Sequence, residues 1–125
     1  MITNSTVRVD QSKNRIYLYL EGFHDLEEAL RMKELYRQAI KKCKPGFTVL
    51  ADVSNYKPGD EEVQRVHEEA IHMAEEAGVS KVARVVGDTP LGGMQIKRIA
   101  KSTASYESEH FETVEEAEAF LDGEF

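Results

Sequence analysis

Apolar and polar residues alternate from Val7 to Val9 and again from Arg15 to Leu20, the two-residue period of half-buried strands. The polar tetrad Gln11-Ser12-Lys13-Asn14 between them predicts a β-hairpin. Ile16, Leu18 and Leu20 then point to one face, Tyr17 and Tyr19 to the other, and Gly22 is expected to end the second strand. Beyond it the period becomes helical. Asp25 stands three residues before Glu28, a capping-box-like start. Leu26, Ala29, Leu30, Leu35, Tyr36, Ala39, Ile40 and Cys43 recur at helical spacing as far as the stop at Pro45-Gly46. Phe47 to Val53 is a nearly continuous apolar run, the mark of a strand buried on both faces, and Ser54 to Gly59 reads as a polar loop.

The second half repeats this rhythm. Asp60 as N-cap, with Glu61 and Glu62 in the first turn, predicts a helix that stops at Gly78. Its Val63, Val66, Ala70, Met73 and Ala77 form a narrow apolar seam beside the acidic pairs Glu61-Glu62, Glu68-Glu69 and Glu75-Glu76. Two heptads are too few for an autonomous coiled coil, so the seam is expected to pack on the sheet and the glutamates to form a solvated face. Lys81 to Val86 reads as a second buried strand. Thr89 then caps a third helix that has Pro90 at its first position and Ile96, Ile99 and Ala100 inward. A strand from Tyr106 to Phe111 leads to the capping box Thr113-Val114-Glu115-Glu116 and a final helix with Ala117, Phe120 and Leu121 inward. The order β-β-α-β-α-β-α-β-α implies right-handed crossovers and a mixed, mostly parallel sheet with an N-terminal hairpin and about four helices. A single α/β domain is expected over residues 1–125.

Composition narrows the function classes. The chain of 125 residues is 41% hydrophobic and 31% charged, with a formal net charge of −7. No apolar run approaches the roughly 20 residues of a membrane span, and the polar start Met1 to Ser5 is unlike a signal peptide, so a cytoplasmic location is expected. The acidic balance argues against nucleic acid as a partner. Cys43 alone permits neither an intrachain disulfide nor a cysteine-based zinc site. It is expected to be a partly buried residue in a helix's last turn, although the cations around it would lower its thiol pKa if exposed. The charge is also unevenly spread. Asp60 to Ala77 sums to −6 and Glu107 to Phe125 to −8, leaving +7 elsewhere, largely at Arg31, Lys33, Arg37, Lys41, Lys42, Lys44, Lys97, Arg98 and Lys101. Such segregation suits oriented, salt-sensitive docking, or helices of opposite sign lying side by side.

Candidate chemistry is sparse. His67 and His72 suggest a zinc-protease helix, but they lie five residues apart, about 140° around the axis, where ligands on one face need a spacing of four. They are expected to be partly exposed, with His72 paired to Glu68. Gly87-Asp88-Thr89-Pro90-Leu91-Gly92-Gly93 joins a strand to a helix but lacks the lysine and hydroxyl of a phosphate loop, which leaves only free helix-start amides able to hold an anion. Ser54, Ser102, Ser105 and Ser108 sit in no nucleophile elbow. His24 and His110 read as ordinary loop histidines. No catalytic constellation, metal site or cofactor is therefore expected.

The run Phe47-Thr48-Val49-Leu50-Ala51-Asp52-Val53-Ser54, a polar loop and an acid-capped helix resemble the centre of a STAS domain, and the element order agrees over essentially the whole chain. The closest likeness is to small stand-alone SpoIIAA-like (STAS/SEC14-like) proteins, whose chains tend to end as His110 to Thr113 and Glu116 to Leu121 do here. The resemblance implies that Asp52 and Ser54 shape the loop after the central strand. It also implies a regulatory, non-enzymatic interaction module akin to anti-sigma factor antagonists. Those regulators are phosphorylated on a serine at the next helix start. Here that stretch is Pro58-Gly59-Asp60-Glu61, and no serine or threonine lies between Asn55 and Gly78. At most Asp60 or Glu61 would mimic a fixed negative charge.

The expected partner- or ligand-binding residues are Asp52, Ser54, Tyr56, Asp60, Glu61, Asp88, Thr89, Gly92 and Gly93. The alternative to a protein partner is a small ligand or lipid, held by the strand-end loops, the Asp88–Met94 helix start and an apolar pocket under the first helix. A homodimer through the hairpin edge or the acidic helix is a further expectation.

Overall fold

The computed structural model describes residues 2–57, 59–87 and 106–123. Strand β1 (Thr6–Asp10) pairs antiparallel with β2 (Arg15–Phe23), Val7 opposite Leu18 and Val9 opposite Ile16. The Asp10 carboxylate accepts the amides of Ser12 and Lys13 across the turn, and Asn14, one of the few side chains that tolerate it, takes a left-handed φ of 53°. Parallel pairing then joins β2 to β3 (Thr48–Lys57), β3 to β4 (Lys81–Val85) and β4 to β5 (Glu107–Phe111). The five strands lie in sequence order across one sheet. The described residues hold three helices, α1 (Leu26–Lys41), α2 (Glu61–Glu76) and α3 (Val114–Leu121). The helix predicted from Thr89 and Pro90 lies outside the described residues. Among those described, no helix is long and apolar enough to cross a membrane.

The apolar run in β3 is explained by helices on both faces of the sheet. Val49 and Ala51 join Ile16, Val82, Tyr36 and Ala74 under α1 and α2, while Leu50 joins Ala83 and Val85 against Ala117, Phe120 and Leu121 of α3. The apolar seam of α2 packs inward, with Val63, Val66, His67 and Ala74 buried and Ala70, Met73 and Ala77 against the core. Glu61, Glu62, Glu68, Glu69 and Glu76 stay exposed. All three described helices carry the N-caps their sequences announce. The Asp25, Asp60 and Thr113 side chains accept the amides of Glu28, Val63 and Glu116.

Several boundaries differ from the sequence expectation. Gly22 does not end β2. The register shifts between Tyr19 and Glu21, and Gly22, at a φ of 68°, carries the strand on to Phe23. That extension pairs Glu21, Gly22 and Phe23 with Asn55, Tyr56 and Lys57, so the supposed loop from Ser54 is the end of β3. On α1 the apolar face is rotated: Met32 is buried, whereas Leu26 and Leu30 are 40% and 47% exposed. Only half of the Asp25 box forms, because Glu28 turns instead to Thr3 and Arg31. Cys43 lies just past α1, half-buried, and burial pushes its thiol up rather than down.

Candidate functional site

Alanines leave an apolar cavity beneath the helices. Ala29 on α1, Ala70 and Ala74 on α2, and Ala51 on β3 all border a slot between the two helices and the sheet. Four methyl groups stand where larger side chains would interdigitate, and a cavity of about 80 Å³ remains, opening partly to solvent. Its apolar walls include Leu18, Leu20, Met32 and Val53. The slot lies under the first helix, where a pocket was expected, and it extends beneath the second.

Two basic side chains from different elements interrupt these walls. Arg84 rises from β4 beside Ala51 of β3 and is only 3% exposed. Its Nη2 donates to the Tyr106 hydroxyl at 2.8 Å, while the buried Nη1 has no partner among the described residues. His67, from α2, shares a 2.9 Å hydrogen bond between its Nε2 and the Tyr56 hydroxyl. Burial is the main cause that holds His67 down at about 4, with His24 adding to it, and burial pushes the Tyr56 phenol up. His67 is therefore a neutral wall of the slot at ordinary pH. Lys33, at the rim, is paired with Glu69 at 3.0 Å.

Behind that wall lies a buried polar cluster. His24 meets Tyr56 edge-on at 5.0 Å and is bonded through Nε2 to the Ser5 hydroxyl at 3.0 Å. Glu28, also buried, accepts from the Thr3 amide and hydroxyl and bidentately from Arg31. This network ties the chain's first residues to α1 and leaves Glu28 no spare valence for chemistry.

The expected site residues fall into different settings. Asp52 accepts from the Ser54 amide at 3.1 Å and from its hydroxyl at 2.6 Å, so the two satisfy each other along β3. Tyr56 is a core residue, 2% exposed, and reaches the slot only through His67. Asp60 is occupied as the α2 cap, and Glu61 is exposed beside Arg65. Asp88, Thr89, Gly92 and Gly93 lie outside the described residues. The described members do not converge on one pocket. The histidines also differ from expectation: His67 is buried, His72 has its Nδ1 3.5 Å from Glu75 rather than near Glu68, His24 lies in the loop between β2 and α1 but is fully enclosed, and His110 lies on β5 rather than in a loop. Sequence reasoning missed Arg84 although its signal was present, a lone cation at the centre of the apolar strand Lys81-Val82-Ala83-Arg84-Val85.

No family model matches the chain, and no curated protein matches it. Among solved structures it is similar to an uncharacterized protein of the DUF3478 family with a SpoIIAA-like fold from Shewanella loihica PV-4. The TM-score is 0.67 at 16% identity, covering 94% of this chain and 93% of that one. The chain therefore has a SpoIIAA-like fold, in agreement with the STAS resemblance of its sequence.

Proposed function

We propose that this SpoIIAA-like chain, a single domain over residues 1–125, is a non-enzymatic binding domain for a small, mainly apolar molecule. The observation that carries this reading is the alanine-bordered slot between α1, α2 and the sheet. Such concave, apolar spaces with a few fixed polar groups are the usual form of small-molecule sites. The ligand enters the slot rather than the strand-end loops, because Asp52, Ser54 and Asp60 are already bonded to neighbours. The domain acts in the cytoplasm, where a lone unpaired cysteine is ordinary. Native mass spectrometry of the protein from its own cells is expected to show a bound small molecule that is absent from Ala70→Trp. Apo protein alone would contradict the reading.

A second reading, a regulatory interaction module, is favoured by one observation. Ile2, Phe23, Leu26 and Leu30 are all exposed, and Ile2 and Phe23 border the same shallow depression. Self-association into a homodimer is the simplest use of such apolar surface. A phospho-switch of the anti-sigma antagonist kind has no hydroxyl to act on at the start of α2. Sedimentation of Phe23→Ser/Leu30→Ser against the parent tests this: a dimer lost in the variant supports it, and a monomeric parent contradicts self-association.

A further inference from the structure

Arg84 is an ionised group in a place that offers it little. Guanidinium stays protonated in proteins, and burying a charge is unfavourable unless partners replace the lost water. Across the ladder Arg84 stands between the methyl group of Ala51 on β3 and the imidazole of His110 on β5, and Tyr106 engages only Nη2. Nη1 faces no acceptor among the described residues, and none of the ion pairs they form includes Arg84. The other basic groups of the slot are differently placed, Lys33 being neutralised by Glu69 and His67 held uncharged by burial. Tyr36 lines the slot as well and is close enough to interact electrostatically with Arg84 and Tyr106. The polar end is thus a cation close to two phenols, and apart from neutral His67 and the paired Lys33 the remaining walls are hydrocarbon.

The geometry points to a short amphipathic monocarboxylate as the ligand, its carboxylate on Arg84 Nη1 and its tail along Leu20, Met32 and Val53. This rests on the slot being the binding site. A single negative charge balances the single buried cation, whereas a phosphate would leave excess charge among apolar walls. A cavity of about 80 Å³ suits a tail of a few carbons, with a longer one leaving through the open side.

Calorimetric titration at neutral pH with hexanoate and with hexanol, equal in chain and different in head, tests the assignment. The wild-type chain is expected to bind hexanoate about tenfold tighter or more, since the charged hydrogen bond is available to one ligand only. Arg84→Met should bind both alike and, without ligand, melt at a higher temperature because an unpaired buried charge has been removed. Equal wild-type affinity for the two ligands would overturn the carboxylate assignment while leaving the slot as a site. Binding of neither would overturn both. A lower melting temperature for ligand-free Arg84→Met would show that the guanidinium is already paired, which also contradicts the proposal. The wild-type comparison decides even if the variant does not fold.

Discussion

His67 and Tyr56 hold each other in a space that excludes water, and the cost of charging that space makes it pH-sensitive. Burial first, then His24, keeps His67 at about 4 against an ordinary 6.5. The unfolded chain therefore takes up the proton more readily than the folded one. The contribution is complete above pH 6.5 and is lost as the pH falls toward 4, a total of about 3 kcal/mol. Glu28 works in a lower window. Burial alone would raise it, but the bonds from Arg31 and Thr3 outweigh burial and hold it at about 2, so its contribution fades only below its ordinary 4.5. Urea unfolding should show stability falling between pH 6.5 and 4.5, with a clearly smaller slope in His67→Gln, which keeps an acceptor for Tyr56. An unchanged slope would clear His67 of the effect.

Gly59 is fixed by a different constraint. A Cβ there would lie 2.6 Å from Val63 Cγ1 and 3.1 Å from the Tyr56 hydroxyl. Gly59→Ala is expected to cost roughly 1–3 kcal/mol, read as a lowered melting temperature. None of these residue roles was legible in the sequence. Whether a helix histidine is enclosed depends on what the fold packs against it, and His67 looked like any other polar residue on an acidic helix.

At the level of elements, legibility followed the range of the signal. Helix starts were readable because Asp25, Asp60 and Thr113 act on amides three residues away. The Thr113 cap is reciprocal, its hydroxyl also donating to the Glu116 carboxylate at 3.0 Å. Thr113→Ala is expected to destabilise α3 by about 1 kcal/mol and to speed amide exchange from Ala117 to Leu121. Unaltered exchange there would mean that packing on β4, not the cap, holds the helix. The far end of β3 was hidden because its ladder depends on a distant strand. Ser54 to Lys57 are polar enough for a loop, and only the bulged extension of β2 makes them strand. The face of α1 was misjudged for the same kind of reason. Leu26 and Leu30 fit the helical period, but these turns of α1 direct Ala29 toward α2 and Met32 toward the sheet, which leaves the two leucines on the outer side.

For the whole molecule, alternating strand and helix patterns were enough to predict the mostly parallel sheet, and the solved relative in fold agrees with few identical residues. The uneven charge finds much of its use internally. Basic α1 lies beside acidic α2, joined by Lys33–Glu69, and Arg15 of β2 reaches Glu118 and Asp122 at α3. A pocket under the first helix was expected, but not its origin in alanines from three elements or its extension beneath α2. Its occupancy is the central claim. The direct measurement is a two-dimensional amide NMR titration of the full chain with hexanoate. Saturable shifts concentrated at Leu20, Met32, Val53 and Ala70 are predicted, and shifts confined to the segment from Ser54 to Glu61, or none at all, would contradict it.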